Sequence, residues 1–380
     1  MLSGKTLAVI GASYLQLPLV LKARQMGIRT ICFAWEEGAV CRRDADEYYP
    51  VSIVEKNKIL EICREKHIDG ITTIASDAAV PTVNYVAHEL GLIGNSIRSG
   101  YVATHKFAMR QALAAGGVRC PYFKKITSYT EARSAVRETA YPVIIKPCDR
   151  SGSMGVTRVD SDSGLEAAVR AALEASFCKE AILEKRIDVV QEISVESISW
   201  KGEQKILAVT DKVTSGAPHY VELGQHQPSQ QPSSILEEAI RQTRFGVKAL
   251  GIEYGASHSE LMIAKTGEVF MTEIGARMGG DFIGSDLVGL STGYDFLKGV
   301  LEIALGEFSG VTAGEKHFAG VWFYTPETLQ VKSIVTHQPP YPWMIRSEIR
   351  EKDLKPLTRS ADRAGYFIYC GERKITLENP

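Results

Sequence analysis

The sequence has no long apolar run and no excess of charge of either sign. No stretch approaches the roughly 20 apolar residues that a membrane-spanning helix needs, and the start, MLSGKTLAVIGAS, lacks the architecture of a signal peptide. Because 44 lysines and arginines face 45 aspartates and glutamates, the net charge is −1. This balance indicates no overall attraction to nucleic acid or to an anionic membrane. We therefore expect a cytoplasmic protein that binds neither, and any anion-binding site must be local.

Motifs of several catalytic classes are also missing. The seven cysteines are scattered and never form a CxxC pair, which favours reduced, structural thiols. No HExxH spacing marks a zinc site, and no GxGxxG follows the first predicted strand. Nothing in these patterns points to a zinc centre or to a dinucleotide-binding fingerprint.

What is present is an ordinary globular composition with an alternating α/β opening. The 380 residues are 44% hydrophobic and 23% charged, which suits two or three domains. Strand and helix patterns alternate over residues 1–103 and predict a parallel sheet. Gly11 and Asp77 lie just past predicted strand ends, where ligands gather in open α/β sheets.

The next stretch predicts an amphipathic helix over residues 104–123 and then a small α/β unit. Its loop DRSGSMGV, residues 149–156, is small, polar and rich in glycine. Such a loop either holds a polyphosphate on its backbone N–H groups or forms a flexible hairpin turn. Lys146, in the apolar strand YPVIIKP, needs an anionic partner or a route to solvent. Lys106, at the start of the helix, reads in isolation as a solvated surface residue.

Two carboxylates mark the stretch SELMIAKTGEVFMTEIGAR, residues 259–277. It predicts two antiparallel strands joined by the turn KTG, with Glu260 and Glu273 facing one another. Like charges held so close require a cation, and oxygen ligands beside a polyphosphate suit Mg²⁺. Arg277 would add a fixed positive fork for phosphate or carboxylate. The alternative is an exposed hairpin with solvated glutamates.

Two further stretches complete the chain. Residues 215–232 read as one long polar loop, and loops of this length tend to be either functional, for example as a lid, or disordered. This loop carries His219, Glu222 and His226, which either shape a substrate site or are ordinary hydrogen-bonded loop residues. Residues 310–380 predict a run of short strands separated by turns.

Taken in order, these features resemble the ATP-grasp superfamily, and above all its carboxylate–amine ligases of the L-amino acid ligase kind. Biotin carboxylase and the carbamoyl phosphate synthase large subunit are relatives there. The resemblance is carried by Lys106, Lys146, the glycine loop, EKRI, Glu192, HSELM and EIGAR. It implies an α/β and α+β fold in four parts: an N-terminal parallel-sheet domain (1–103), a small nucleotide-clamping subdomain (104–190), a large subdomain with the metal site (191–309) and a β-rich C-terminal part (310–380).

The resemblance also implies binding of ATP with Mg²⁺ or Mn²⁺. The residues that would contact ATP are Lys106, Lys146, Ser151, Gly152, Ser153, Gly155, Glu184, Lys185, Arg186, Ile187 and Glu192. Among them, residues 184–187 would form the adenine hinge and Glu192 would hold the ribose hydroxyls. Glu260 and Glu273 would bind the metal, and Arg277 would stabilise the transferring phosphoryl group.

Further implied contacts concern the substrates. Lys212 would take part in catalysis, and His226, Gly279 and Gly280 would contact a substrate, the two glycines through backbone N–H groups. One position departs from the pattern, because many members carry asparagine two residues after the second metal-binding glutamate, where this chain has Gly275. A water molecule could take the place of that metal ligand.

The activity implied is ATP-dependent ligation of a small carboxylate to a small amine through an acyl phosphate, with amino acids as substrates. Two alternatives stay open. One is a ligase of the bicarbonate-using carboxylase or carbamoyl phosphate type, and the other is an ATP-binding sensor without turnover. A homodimer is expected by analogy alone.

Overall fold

The first part of the chain forms an open parallel sheet. The computed structural model describes residues 2–150, 152, 154–217, 219–312, 314–350 and 354–380. The elements of the first part are β1 (Thr6–Ile10), α1 (Leu17–Gln25), β2 (Arg29–Phe33), β3 (Glu47–Tyr49), α2 (Lys56–Glu65), β4 (Gly70–Thr72), α3 (Val80–Leu90) and α4 (Ile97–Val102). The strand order is β3-β2-β1-β4, and every neighbouring pair is parallel. The predicted α/β opening is therefore confirmed.

Both faces of this sheet are covered, and the sequence of β1 shows why. Leu7 and Val9 pack in one apolar cluster with α1, whereas Ala8 and Ile10 pack in a second cluster with α2 and α3. A strand that is buried on both faces needs a continuous apolar run rather than alternation. The sequence TLAVI of β1 is such a run.

A second sheet of four strands is antiparallel. Its elements, with the helix that precedes them, are α5 (Lys106–Ala115), β5 (Phe123–Ile126), α6 (Tyr129–Thr139), β6 (Val143–Pro147), β7 (Thr157–Val159), α7 (Asp162–Ala175) and β8 (Ala181–Lys185). The strand order is β5-β8-β6-β7. Helices α6 and α7 pack on this sheet through one apolar cluster that includes Ala135, Val143 and Leu165.

An eight-stranded antiparallel sheet forms the remainder. Its elements are β9 (Val189–Trp200), β10 (Glu203–Thr214), β11 (Glu222–Gln227), α8 (Ser233–Ala249), β12 (Gly255–Ala264), β13 (Val269–Gly275), α9 (Val288–Thr292), α10 (Phe296–Ala304), β14 (Phe318–Tyr324), α11 (Gln330–Thr336), β15 (Met344–Ile349) and β16 (Gly365–Gly371). The strand order is β13-β12-β9-β10-β11-β14-β16-β15. Strands from residues 310–380 thus extend the sheet that begins at β9. The division predicted at 190/191 falls inside β9, and the domain boundaries stay predictions.

Residues 215–232 do not form one long loop, as the sequence had suggested. Residues 222–227 make β11, which pairs with β10 and β14 in the interior of the sheet. Gln225, His226 and Gln227 are almost completely buried there. Polar side chains in a buried strand hide the alternation by which strands are recognised, and two shorter connections replace the expected lid.

Helix α8 covers one face of the large sheet. Its Val247 packs in an apolar cluster with Leu113 of α5 and Met271 of β13. At 17 residues, α8 is the longest helix among the described residues. Across that part of the chain no helix combines the length and the apolar character that crossing a membrane requires.

Helix α10 joins the parallel sheet to the large sheet. Its Val300 and Leu301 belong to the same apolar cluster as Val9 of β1 and Ile198 of β9. Gly70, at the start of β4, lies against the end of α10, where a Cβ on that residue would stand 2.3 Å from the carbonyl oxygen of Ala304. The absence of a side chain at residue 70 therefore sets how closely the two layers approach.

Replacing Gly70 with alanine is expected to destabilise this docking. The added Cβ would collide with a backbone carbonyl that cannot rotate away, so packed backbone must shift. We expect the free energy of unfolding to fall by about 1–3 kcal/mol, measured by urea or thermal denaturation. Gly164→Ala on α7 is the matched control, because its Cβ would meet nothing closer than Val159 Cγ1 at 3.7 Å and alanine is the better helix former. An unchanged midpoint for Gly70→Ala would contradict the close approach.

Candidate functional site

Two glutamates face each other across neighbouring strands of the large sheet. Glu260 of β12 pairs directly with Glu273 of β13 in antiparallel register. On the same face of the sheet, Met262 of β12 pairs with Glu192 of β9. Glu192 in turn pairs with Lys212 of β10. Because directly paired residues share a face, four of the predicted site residues come together. The predicted facing of the two glutamates is confirmed.

Positive side chains lie against both carboxylates. Lys212 Nζ is 2.7 Å from Oε1 of Glu260, and Lys106 Nζ is 3.2 Å from Oε1 of Glu273. Lys212 holds the pKa of Glu260 well below its usual value, even though burial opposes that shift. The side chains of the two glutamates remain 34% and 31% exposed. Two accessible carboxylates on one face are hard oxygen donors, and such donors fit Mg²⁺.

Lys106 is not a solvated surface residue, as its helix in isolation had suggested. Its side chain is only 12% exposed, and Nζ also donates to the carbonyl of Arg150 at 2.7 Å. Burial alone would lower the pKa of Lys106, but Glu273 outweighs burial and raises it. Lys106 therefore connects Glu273 to the base of the glycine-rich loop.

The glycine-rich loop contains a backbone conformation that favours glycine. Gly152 and Gly155 have φ angles of +65° and +72°, which L side chains rarely adopt. Ser151 and Ser153, which were also predicted to contact ATP, lie outside the described residues. The ATP contacts of all four residues remain predictions.

Lys146 has the anionic partner that its apolar strand requires. Its Nζ lies 2.6 Å from Oε2 of Glu184, whose Oε1 accepts a hydrogen bond from Nε of Arg110 at 2.6 Å. Burial alone would raise the pKa of Glu184, but Arg110 and Lys146 outweigh burial and lower that pKa to about 2. Glu184 is therefore ionised between two cations. Arg110 was not predicted, although its spacing of four residues from Lys106 places both on one helix face.

The predicted adenine hinge is partly engaged within the protein. The backbone N–H of Lys185 donates to the carbonyl of Tyr122, and that of Arg186 donates to the carbonyl of Pro142. The ammonium group of Lys185 donates to three carbonyls of residues 139–141. An adenine edge bound here would have to use the backbone carbonyls and the N–H of Ile187, and this contact remains a prediction.

Arg277 is fixed by a carboxylate that follows the last strand of the parallel sheet. Its Nε and a terminal nitrogen donate to Oδ1 and Oδ2 of Asp77 at 2.9 and 2.7 Å. Burial opposes the charge of Arg277, but Asp77 outweighs burial and raises its pKa. A Cβ on residue 275 would lie 2.7 Å from Asp77 Oδ1 and 3.0 Å from the guanidinium carbon. Glycine at residue 275 therefore leaves room for this ion pair, which a side chain there would crowd.

A buried histidine–glutamate pair supports the first of the two facing glutamates. His258 Nδ1 is 2.6 Å from Oε1 of Glu196, and its Nε2 is 3.2 Å from Oε1 of Glu260. Burial alone would lower the pKa of His258, but Glu196 outweighs burial and raises it to about 9. His258 is thus protonated at neutral pH and adds positive charge beside Glu260. Glu196 was not recognised from the sequence, because its strand position alone does not reveal a buried partner.

The turn that contains Gly279 and Gly280 lies beside this pair. A Cβ on residue 279 would come within 2.8 Å of His258 Nδ1, so a side chain there would disturb the pair. The carbonyl of Met278 accepts a hydrogen bond from the N–H of Ala75 at 3.2 Å, which joins the turn to the parallel sheet. Contact between this turn and a substrate carboxylate remains a prediction.

His226 does not reach this face of the sheet. It pairs with Asp211, the residue before Lys212, so it points to the opposite side. Its Nδ1 is 3.0 Å from the hydroxyl oxygen of Tyr369, and its ring centroid is 4.7 Å from that of Trp322. Burial lowers its pKa well below the usual value, so the ring is neutral. The residue thus lies in the core of the C-terminal strands, and its contact with a substrate remains a prediction.

Part of this chain matches a known domain family, and the chain is similar in sequence to known proteins. Residues 139–286 match the ATP-grasp domain family. Alanine–anticapsin ligase from Bacillus subtilis is 25% identical over 244 residues, which are 59% of this chain and 51% of that protein. The chain thus spans about half the length of that relative. Formate-dependent phosphoribosylglycinamide formyltransferase from Wolinella succinogenes is 26% identical over 283 residues, which are 71% of this chain and 69% of that protein.

Solved structures share the fold over almost the whole chain. L-amino acid ligase from Bacillus licheniformis has a TM-score of 0.80 at 22% identity, and covers 98% of this chain with 94% of its own. Phosphoribosylglycinamide synthetase from Anaerococcus prevotii has a TM-score of 0.78 at 19% identity, and covers 97% of this chain with 94% of its own. At these identities the likeness shows the fold alone. Together with the domain match over residues 139–286, it shows that the chain has the ATP-grasp fold.

Proposed function

We propose that this chain is an ATP-dependent carboxylate–amine ligase that acts on amino acids through an acyl phosphate. The observation that carries the proposal is the cross-strand pair Glu260 and Glu273, with Lys212 and Lys106 bonded to it. A paired-carboxylate site surrounded by fixed cations suits transfer of a phosphoryl group from ATP with Mg²⁺. The names of two relatives, alanine–anticapsin ligase and L-amino acid ligase, support amino acids as the substrate class.

The chemistry proceeds in two steps that conserve atoms and charge. A carboxylate is a poor electrophile, so one of its oxygens first attacks the γ-phosphorus of ATP, which releases ADP and leaves an acyl phosphate. The nitrogen of the amine then attacks the acyl carbon, inorganic phosphate leaves, and the amine loses a proton. The products are an amide, ADP and phosphate, and no protein nucleophile takes part.

The residues of the site divide this work between them. Glu260 and Glu273 would hold Mg²⁺, which when bound neutralises and orients the phosphate oxygens. Lys106 and Lys146 would contact the phosphates. Arg277, held rigid by its carboxylate partner, would present a planar fork of donors to the charge that develops on the transferring group.

His258 is unsuited to be the base that accepts the proton of the amine. Its pKa of about 9 means that it already carries a proton at neutral pH. Both ring nitrogens face carboxylates, one on Glu196 and one on Glu260. We assign to His258 the role of holding Glu260 in place and balancing its charge.

The first test is the release of ADP from ATP with Mg²⁺ across a panel of single and paired L-amino acids. Simple amines and bicarbonate serve as additional members. We expect release that requires one carboxylate and one amine together, detected by a coupled ADP assay and by mass spectrometry of the amide. Release with bicarbonate alone would instead favour a carboxylase, and release with no member despite ATP binding would refute the ligase proposal for these substrates.

Glu273→Gln should abolish turnover while the fold persists. The substitution removes one negative charge from the proposed metal site but keeps the size of the side chain. We expect the rate to fall on the order of 100-fold or more, with an unchanged circular dichroism spectrum. Glu268→Gln, at a residue 49% exposed in the turn before β13, is the control and should keep full activity. Retained activity in Glu273→Gln would remove this residue from the metal site.

The protonated His258 makes stability depend on pH. Its pKa rises from 6.5 to about 9 on folding, so its contribution is complete below the lower value and disappears as the pH rises through the higher one. In metal-free protein, the unfolding free energy of the wild type relative to His258→Gln should decline across that window by on the order of 3 kcal/mol. Urea denaturation at successive pH values measures this, with exposed His88→Gln as control. Parallel pH curves for wild type and His258→Gln would show that folding does not raise the pKa of His258.

A further inference from the structure

Arg110 connects the two halves of the proposed site. It lies on α5 and is only 1% exposed. Its Nε donates to Glu184 at 2.6 Å, and one terminal nitrogen donates to the carbonyl of Thr272 at 2.5 Å. Glu184 in turn holds Lys146, the proposed phosphate ligand, and Thr272 directly precedes Glu273, the proposed metal ligand. One guanidinium therefore links the small sheet to the large sheet.

A second cation of α5 reaches the same strand. Lys106, one helical turn before Arg110, contacts Glu273 itself. The spacing of four residues places both cations on one face of the helix. Beside these cations, Met109 and Leu113 of the same helix pack into an apolar cluster with residues of the large sheet. The helix thus gives both cations a rigid base, so their positions are set by core packing.

The charge of the buried cluster depends on Arg110. Arg110, Glu184 and Lys146 together carry one net positive charge, because one carboxylate lies between two cations. Without Arg110, Glu184 and Lys146 would form a closed ion pair and leave no net charge for a phosphate. With Arg110 present, Oε1 of Glu184 binds Arg110 and Oε2 of Glu184 binds Lys146. Charges in a buried site are weakly screened, so a bound phosphate would experience the difference in net charge.

Stability alone does not account for an arginine at this position. The second terminal nitrogen of Arg110 is buried and has no hydrogen-bond partner within the described residues. A buried donor without a partner costs free energy, and apolar residues of similar volume often replace buried ion pairs without loss of stability. The retained charge therefore points to a role beyond folding.

We propose that Arg110 is a positioning residue of the nucleotide site. It holds Lys146 at a fixed separation from the Thr272–Glu273 segment, and it keeps the charge of Lys146 available to the phosphates of a nucleoside diphosphate or triphosphate. The inference deepens the proposed function and rests on it, because that function assigns phosphate to Lys146 and metal to Glu273. Arg110 acts through Glu184 and Thr272 and needs no contact with substrate.

The test measures binding of ADP in the presence of Mg²⁺ by isothermal titration calorimetry, which requires no ligation. We expect Arg110→Met to weaken the affinity by at least about tenfold. Arg110→Lys should give an intermediate affinity, because a lysine keeps the charge but lacks the fork that reaches both partners. Arg119→Met is the matched control, since Arg119 follows the same helix and is 42% exposed, and its affinity should equal that of the wild type.

A double variant separates positioning from general destabilisation. In Arg110→Met, Glu184 is left to Lys146 alone, so the additional change Glu184→Gln should release Lys146 and recover part of the lost affinity. An arginine with a merely structural role would give a double variant that binds no better than Arg110→Met. Denaturation midpoints measured in parallel show which variants are folded at the temperature of the titration.

The outcomes decide the inference. Wild-type affinity in Arg110→Met overturns it, as does a double variant that recovers nothing. Where Arg110→Met does not fold, wild-type affinity in Arg110→Lys overturns it and an intermediate value supports it. A wild-type protein that binds ADP but ligates no substrate pair refutes the proposed function and leaves the affinity test of Arg110 standing. A wild-type protein that binds no ADP overturns both.

Discussion

Two like charges that are held opposite each other constrain the rest of this structure. Antiparallel pairing fixes Glu260 against Glu273, so the carboxylates cannot separate without breaking the sheet. The repulsion has to be offset by nearby positive charge. Lys212 comes from the same sheet, Lys106 from a helix beside it, and protonated His258 from two residues along the strand. A metal ion held by Glu260 and Glu273, as we propose, would lie beside these positive side chains.

Each layer of the fold contributes one side of a charged pair. The parallel sheet supplies Asp77, which fixes Arg277, and the small sheet supplies Glu184, which fixes Lys146. Helix α5 carries the cations that join both regions to β13. The site is therefore a property of the assembled chain, and packing between layers determines the separation of its charged groups.

The features that could be predicted from the sequence are the local ones. The facing glutamates follow from a short hairpin, and the parallel sheet follows from continuous apolar runs. The anchor of Arg277 could not be predicted, because its partner lies 200 residues earlier in the chain. The burial of Lys106 depends on which way α5 faces, which periodicity does not specify. Strand β11 was missed because residues such as Gln225 are both polar and buried, a combination that resembles a loop.

The side chain that can be accommodated at residue 275 depends on Asp77, which lies in a different layer of the fold. The space that a side chain would occupy there is filled by the ion pair between Asp77 and Arg277. A side chain at residue 275 would require Asp77 and Arg277 to shift, because its Cβ would lie 2.7 Å from Oδ1 of Asp77 and 3.0 Å from the guanidinium carbon. The stability effects of substitutions at residues 275 and 77 are therefore expected to be non-additive, because the two sites share one contact.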